Sequence, residues 1–340
     1  MDQNRLSKLR NRRTDEFEII KSSIMESLDT LTQTDSVKYV LGSMQPIEPT
    51  YTQKSYEEAD RIKNQIENKT TFKCSFDYQG SVTNNTHIKA KSDIDLLTIL
   101  TGFITLERPQ EPDNPYKGNP VEDLFNFRNE EINILQRAFP EATIDTSGSK
   151  SIGIEGGSLR RKIDVVPSNW FNSNRYKISG DKTDRGIQIL NTSKNERILN
   201  YPFLHNKHIA DKDSRVNGGL RRAVRLMKSL KYDSENIELS SYDITAIGWN
   251  IPDHLLVFDK KYQLGILETC LYYCKELESN YFLRSTIEVP NGTRKVFAED
   301  GASVKGLTQL RYQLESLSDD IQNENHRSFD KLSEARIEYF

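Results

Sequence analysis

The stretch Tyr78–Leu100, YQGSVTNNTHIKAKSDIDLLTIL, constrains this chain more than any other. It opens on a small-residue turn, Gly80-Ser81, and closes on Ser92-Asp93-Ile94-Asp95-Leu96-Leu97. Ile94, Leu96 and the apolar run after them suit a buried or half-buried strand. Side chains alternate faces along a strand, so Asp93 and Asp95 point the same way. Two ionised carboxylates side by side repel each other. A divalent cation between them removes the conflict, and oxygen donors suit Mg²⁺. A lone acid-x-acid pair is more often a solvated strand end, so the surroundings matter. Gly80 permits a tight turn and close approach of the backbone to a ligand. Ser81 offers a hydroxyl, and a helix starting there would aim its amides at phosphate. A third acid, Asp164, sits in a second strand-like run, Lys162–Pro167.

The 340 residues suffice for two domains with sizeable cores. A net charge of −3 argues against wholesale coating of nucleic acid and leaves only local basic patches for polyanions. No apolar run is long enough to span a bilayer, and MDQNRLSKLRNRR lacks the apolar core of a signal peptide, so cytoplasmic residence is the expectation. Three cysteines without CxxC spacing make neither a disulfide framework nor a zinc knuckle. Cys270 and Cys274, one helical turn apart, read as small apolar core residues. His205 and His208 fall in a loop-like stretch with no acid pair nearby to complete a metal site.

Residues 1–13, with Arg10, Arg12 and Arg13, read as a solvated basic terminus. Helical spacing predicts a helix over Phe17–Leu31 and another over Tyr56–Asn68 capped by Ser55, with 41–53 as a loop. Thr71–Tyr78 reads as a strand. Residues 108–120 hold four prolines and a glycine and form a loop. Val121–Phe139 is a helix with Asn119 as cap and Pro120 at its first position. Ile152–Ile154 and Leu159–Val166 form a hairpin through Glu155-Gly156-Gly157-Ser158, and Arg160, Arg161 and Lys162 before Asp164 are available to face phosphates. Residues 175–200 read as short strands and turns. The second half reads as helical, with helices at LRRAVRLMKSLK, after Leu239-Ser240, at Tyr262–Glu278, Ser303–Leu317 and His326–Glu338; Tyr281–Phe297 reads as irregular or strand-like. Arg221, Arg225 and Lys228 recur at four- and three-residue spacing, which makes either a cationic ridge suited to a triphosphate or a solvated helix face.

A hydrophobic residue, Gly-Ser, a spacer, an acid-x-acid strand and a later third acid resemble the nucleotidyltransferase superfamily that includes polymerase β. LMKSLK followed by LSSYDITAI narrows this to the cyclic GMP-AMP synthase and oligoadenylate synthase branch, and more closely to the bacterial CD-NTases of CBASS anti-phage systems. The resemblance implies an α+β nucleotidyltransferase core with a C-terminal helical domain, bilobal with a central cleft. The expected division is residues 1–54 as a bridging helical segment, 55–205 as the core and 206–340 as the helical domain. It implies that Asp93, Asp95 and Asp164 hold two Mg²⁺ ions, for which Mn²⁺ can substitute. Gly80 and Ser81 then bind phosphate, Lys228 contacts the triphosphate, and Ser241 and Tyr242 support a base. The implied activity joins nucleoside triphosphates, ATP or GTP or both with pyrimidines open, into a cyclic di- or trinucleotide that a downstream effector reads. A transferase acting on RNA or protein and an inactive nucleotide sensor are the alternatives. The zinc-bearing DNA-binding insertion of the animal enzyme has no counterpart here, because the cysteines are lacking. The bulky ending Tyr339-Phe340 departs from the small C-terminal residue of members conjugated by E1/E2-like partners.

Overall fold

The computed structural model describes residues 5–13, 33–88, 94–234 and 236–337, with side chains described as far as residue 325. The predicted Phe17–Leu31 helix, Asp93 and the last residues, Glu338–Phe340, lie outside the described residues. The chain forms two compact units, Glu48–Asn85 with Ser92–His208, and Met1–Ile47 with Thr86–Lys91 and Ile209–Phe340.

The first unit is a seven-stranded mixed sheet backed by helices. Its strands are β1 (Cys74–Gln79), β2 (Ile94–Leu106), β3 (Thr143–Asp145), β4 (Ile152–Gly156), β5 (Leu159–Asn172), β6 (Arg185–Asn191) and β7 (Glu196–Asn200). β2 pairs antiparallel with β1 and parallel with β5. β5 is long enough to take β4 along its first half and β6 along its second. Ile94, Leu96, Ile163 and Val165 form one apolar face, packed with Ile62 and Ile66 of the helix Pro49–Lys69 and with Ile134 and Leu135 of the helix Pro120–Ala138. Leu97, Ile99, Val166 and Trp170 form a separate cluster with Ile187, as period-two alternation requires.

The Pro120 helix begins as the residues dictate, with the Asn119 side chain accepting from the Val121 and Glu122 amides. The β4–β5 hairpin turns through Gly156 and Gly157, both at positive φ. Other local expectations fail. The 41–53 loop does not form: helices Asp35–Met44 and Pro49–Lys69 cover most of it. Pro49 occupies the first helical position, so Ser55 lies inside the helix and its hydroxyl donates to the Tyr51 carbonyl. The loop-like stretch around His205 and His208 is the helix Pro202–Arg215. Asn174–Ser179 is a short helix and Lys182–Asp184 a 3-10 turn, leaving β6 and β7 as the strands of that region.

The second unit is helical. Arg5–Arg13, Asp35–Met44, Gly219–Asp233, Ser241–Asn250, Gly265–Ser279 and Val304–Ile337 surround one apolar core that includes Leu9, Val40, Val224, Met227, Ile247 and Leu310. Cys270 and Cys274 lie in that core, and burial pushes both thiols up. The two predicted C-terminal helices are one, because no proline or glycine interrupts residues 317–326. Tyr281–Thr286 is a short helix, followed by a single bridge between Glu288 and Lys295.

The basic N-terminus is not a solvated tail. Arg12 pairs with Asp233 at 2.8 Å, and the Tyr39 hydroxyl donates to the same carboxylate. Arg13 donates to the Gly42 and Gln45 carbonyls, and Arg5 pairs with Asp320. Leu6 and Leu9 supply the apolar stripe that makes this packing worthwhile. Among the described residues no helix is long and apolar enough to cross a membrane.

Candidate active site

One row of the sheet brings candidate acids together. Gln79, Asp95, Asp164, Gly153 and Asp145 are register partners across β1, β2, β5, β4 and β3. Directly paired residues present their side chains to the same face, so Asp95 and Asp164 stand side by side on adjacent parallel strands. Asp93, two residues before Asp95, lies outside the described residues. Among the described residues no cluster of three metal-ligating side chains occurs, which leaves two of the three acids for geometric account.

Gly80 adopts φ +89°, and a Cβ placed on it would meet Asp95 Oδ2 at 2.7 Å. The turn and the acid are therefore in direct contact, and only glycine satisfies both the backbone and the approach. The helix that would have followed Ser81 is absent. Residues 81–85 form hydrogen-bonded turns instead, with Asn85 at φ 57°. Thr83 Oγ1 donates to the Gly80 carbonyl at 2.8 Å and lies 2.9 Å from Asn206 Nδ2, which donates to it. Val82 is buried in the core beneath.

The three basic residues before Asp164 part ways. Arg160 is exposed, and Arg161 lies 3.4 Å from the centre of the Tyr51 ring. Lys162 leans over Gly153 and brings Nζ to 3.5 Å from Asp164 Oδ1. Gly153 leaves the space for this: a Cβ there would lie 3.3 Å from Lys162 Cε and 3.4 Å from Asp164 Oδ1. The donor set fits a divalent cation. Two hard carboxylates share a face, and the Lys162 ammonium already supplies one of them with positive charge.

In the helical unit the residues of the supposed ridge are all engaged, and Arg225 and Lys228 are buried. Arg221 pairs with Asp213 at 2.8 Å, and Arg225 donates to the Met44 carbonyl at 2.9 Å. Lys228 is 2 % exposed and donates to the Thr86 carbonyl and hydroxyl, each at 3.2 Å. Its pKa is pushed down to about 7, by burial first and by the nearby Lys231 and Arg225 charges second. Ser240 caps the next helix, accepting from the Asp243 amide at 3.0 Å. The Ser241 hydroxyl lies 3.2 Å from the Tyr232 hydroxyl. Tyr242 is half-buried against the helical core, and its hydroxyl donates to Asn291 Oδ1 at 3.2 Å. The Arg294 guanidinium stands 5.5 Å from the Tyr242 ring centre and pairs with Asp243.

Sequence reasoning passed over Gly153, Asp145, Thr86, Asn291 and Arg294. Only Gly153 left a signal, since a glycine inside Ile152-Gly153-Ile154 marks a close approach within a strand.

Two acids in register on the central parallel pair, with a glycine turn against one of them, match the arrangement expected of a nucleotidyltransferase core. The model of the cGAS/DncV-like nucleotidyltransferase C-terminal helical domain matches residues 207–319. The chain is 36% identical over 307 residues to "Cyclic dinucleotide synthase CdnE" of Yersinia aleksiciae, covering 88% of this chain and 81% of that one. It is 34% identical over 276 residues to "c-di-GMP synthase" of Lachnospiraceae bacterium (strain RUG226), covering 73% and 78%. Among solved structures, the STING-associated CdnE c-di-GMP synthase from Capnocytophaga granulosa superposes with a TM-score of 0.77 at 28% identity, over 94% of this chain and 98% of that one. The chain belongs to the cGAS/DncV-like nucleotidyltransferases, the CD-NTases, with relatives named as cyclic dinucleotide synthases.

Proposed function

We propose that this chain joins nucleoside triphosphates into a cyclic oligonucleotide, a dinucleotide in the first instance, and releases one pyrophosphate per bond formed. The observation that carries the reading is the in-register pair Asp95 and Asp164 behind Gly80, in a chain similar over most of its length to named cyclic dinucleotide synthases. Asp93, Asp95 and Asp164 would hold two Mg²⁺ ions, or Mn²⁺, whose charge would offset that of the triphosphate and lower the pKa of a ribose hydroxyl. On this reading Asp164 would serve the acceptor hydroxyl. The hydroxyl oxygen bonds to the α-phosphorus of the donor, and the bond from that phosphorus to the oxygen bridging to the β-phosphate breaks. A second transfer closes the ring. Gly80 keeps the turn close to the acid, and Ser81 offers its hydroxyl to phosphate. By resemblance, Tyr242 would supply a π-face for a base, supported by Ser241, and Lys228 a charge for the triphosphate. The protein's part is positioning and charge neutralisation.

The family supports an anti-phage role, with the signal made in the cytoplasm, where triphosphates are available, and read by an effector as the matching proposal. ATP and GTP are the first substrates to test, then the pyrimidine triphosphates. The test is incubation with all four labelled triphosphates and Mg²⁺ or Mn²⁺, followed by phosphatase. A small phosphatase-resistant product is expected. Label transferred to RNA or protein overturns the reading in favour of a macromolecular acceptor. Triphosphate binding without turnover leaves a nucleotide sensor.

A further inference from the structure

A turn that serves charged groups must have its backbone fixed beforehand, because a dipole helps only where it already stands in place. No regular element fixes this one. β1 ends at Gln79, and residues 81–85 form successive turns. Gly80 between them is at φ +89°, and glycine is the residue that holds a conformation least firmly by itself. Its approach to Asp95 is nonetheless tight. Val82 anchors the turn in the core at one point, so the Gly80 peptide itself needs another hold.

Hydrogen bonds in series supply that hold. Asn206 Nδ2 donates to Thr83 Oγ1 at 2.9 Å, and Thr83 Oγ1 donates to the Gly80 carbonyl at 2.8 Å. The direction is set by chemistry. An amide nitrogen only donates, so the one hydroxyl hydrogen of Thr83 is left for Gly80. Each bond polarises and strengthens the next. Asn206 lies on the helix Pro202–Arg215, in the part that belongs to the sheet unit, so the whole brace stays within that unit. The same region holds the chain on the other side of Gly80. Asn200, the last residue of β7, donates from Nδ2 to Gln79 Oε1 at 3.4 Å. Two residues earlier, Asp77 pairs with Lys182, whose Nζ stands 4.4 Å from the centre of the Phe203 ring. Asp77 and Gln79 share the face of Asp95, and Gln79 is its register partner.

We propose that Thr83 and Asn206 are positioning residues for the reaction, which hold the Gly80 peptide against Asp95 and act through that contact rather than on the substrate. The inference rests on the nucleotidyltransferase reading and extends it to two residues outside the glycine-serine pair and the acids. A hydroxyl that touched the triphosphate itself would have no need of Asn206. A brace needs both members, and its loss lets turn and acid drift apart; a displacement of about 1 Å at a reacting centre can cost about a hundredfold in rate.

The test is a double-mutant cycle of Thr83→Val and Asn206→Leu, which remove the hydroxyl and the amide at nearly constant shape, with Thr83→Ser as the conservative variant. The readouts are kcat and KM for the triphosphates, and amide hydrogen exchange over residues 79–83 without nucleotide. The expected result is a fall in kcat of about tenfold for Thr83→Val and several-fold for Asn206→Leu, with KM changed less than kcat. The double variant is no worse than Thr83→Val, because both changes cut one chain of bonds. Exchange over 79–83 speeds up in both singles, and Thr83→Ser restores both readouts. A loss in Thr83→Val with Asn206→Leu silent overturns the brace in favour of a direct substrate contact. Losses that multiply in the double variant overturn it in favour of independent roles. Wild-type kinetics in both singles overturns it in favour of a purely structural pair. If Thr83→Val does not fold, Asn206→Leu decides alone: slower turnover with faster exchange upholds the brace, and wild-type values overturn it. Wild-type turnover reports separately on the nucleotidyltransferase reading, and the exchange readout needs no turnover.

Discussion

Replacing Gly80 by alanine isolates the contact between the turn and the acid. The new methyl would stand 2.7 Å from Asp95 Oδ2, about 0.7 Å inside the 3.4 Å at which ordinary contact begins. The backbone cannot yield easily, because Thr83 bonds the Gly80 carbonyl and Val82 is locked in the core. Relief therefore comes from rotation of the Asp95 carboxylate away from the row it shares with Asp164. A misplacement of this size should lower kcat by roughly 10- to 100-fold, since about 1 Å is worth about a hundredfold. The left-handed conformation adds a stability cost of about 1–2 kcal/mol, or roughly 2–8 °C in Tm for a unit of this size. Gly180→Ala is the matched control. Gly180 is also left-handed, at φ +64°, but nothing lies within 4 Å of its added Cβ. It should melt lower by a similar amount and keep full activity. The assay is release of pyrophosphate and formation of phosphatase-resistant product, beside thermal melts of all three proteins. Wild-type kcat in Gly80→Ala refutes the argument outright. Equal losses of activity in both variants refute it too, because strain rather than proximity would then be the cause.

Changing Asp93 and Asp95 together to alanine should abolish turnover while Tm without metal stays level or rises, since like charges are removed; product formed at the wild-type rate would end the enzymatic reading. Glu131 is wholly buried, and desolvation pushes it up to about 8, offset in part by the neighbouring Thr98 hydroxyl and Arg128. The native state thus keeps a proton that the unfolded chain has lost between its ordinary carboxylate pKa and about 8, so stability falls as pH rises through that window. Glu131→Gln should melt like wild type near pH 5 and higher near pH 8, by roughly 1–3 kcal/mol; parallel pH profiles would show that the carboxyl is not held neutral. Arg12→Ala leaves the Asp233 carboxylate buried with only the Tyr39 hydroxyl, and should cost about 3–5 kcal/mol; an unchanged denaturant midpoint would restore the picture of a solvated basic tail.

Much of this architecture is written locally. The caps at Asn119 and Ser240, the glycine hairpin before Asp164 and the apolar alternation of β2 and β5 each depend on residues a few positions apart, and each forms. The acid-x-acid strand and the Gly-Ser turn are legible for the same reason, because a left-handed glycine and a period-two pattern are properties of short segments. The unbroken helix Val304–Ile337 and the helix beginning at Pro49 were misjudged at their boundaries, where several weak propensities compete.

The cations are the opposite case. Arg12, Arg13, Arg225 and Lys228 sit at spacings that read as surface charge, and each is buried against a carboxylate or a main-chain carbonyl from a segment far away in sequence. Nothing within a window of sequence distinguishes a solvated arginine from a clamped one, because the difference lies wholly in the partner. The adjacency of Asp95 and Asp164 is of the same kind. Composition and pattern supplied two strands with an acid on each, but parallel pairing, and the register that sets one acid beside the other, exist only once the sheet is assembled. The sequence by itself marked most of the strands and helices, the glycine turn and the candidate acids; the tertiary structure decided which charges face one another, since pairing across long loops is a property of the packed chain alone.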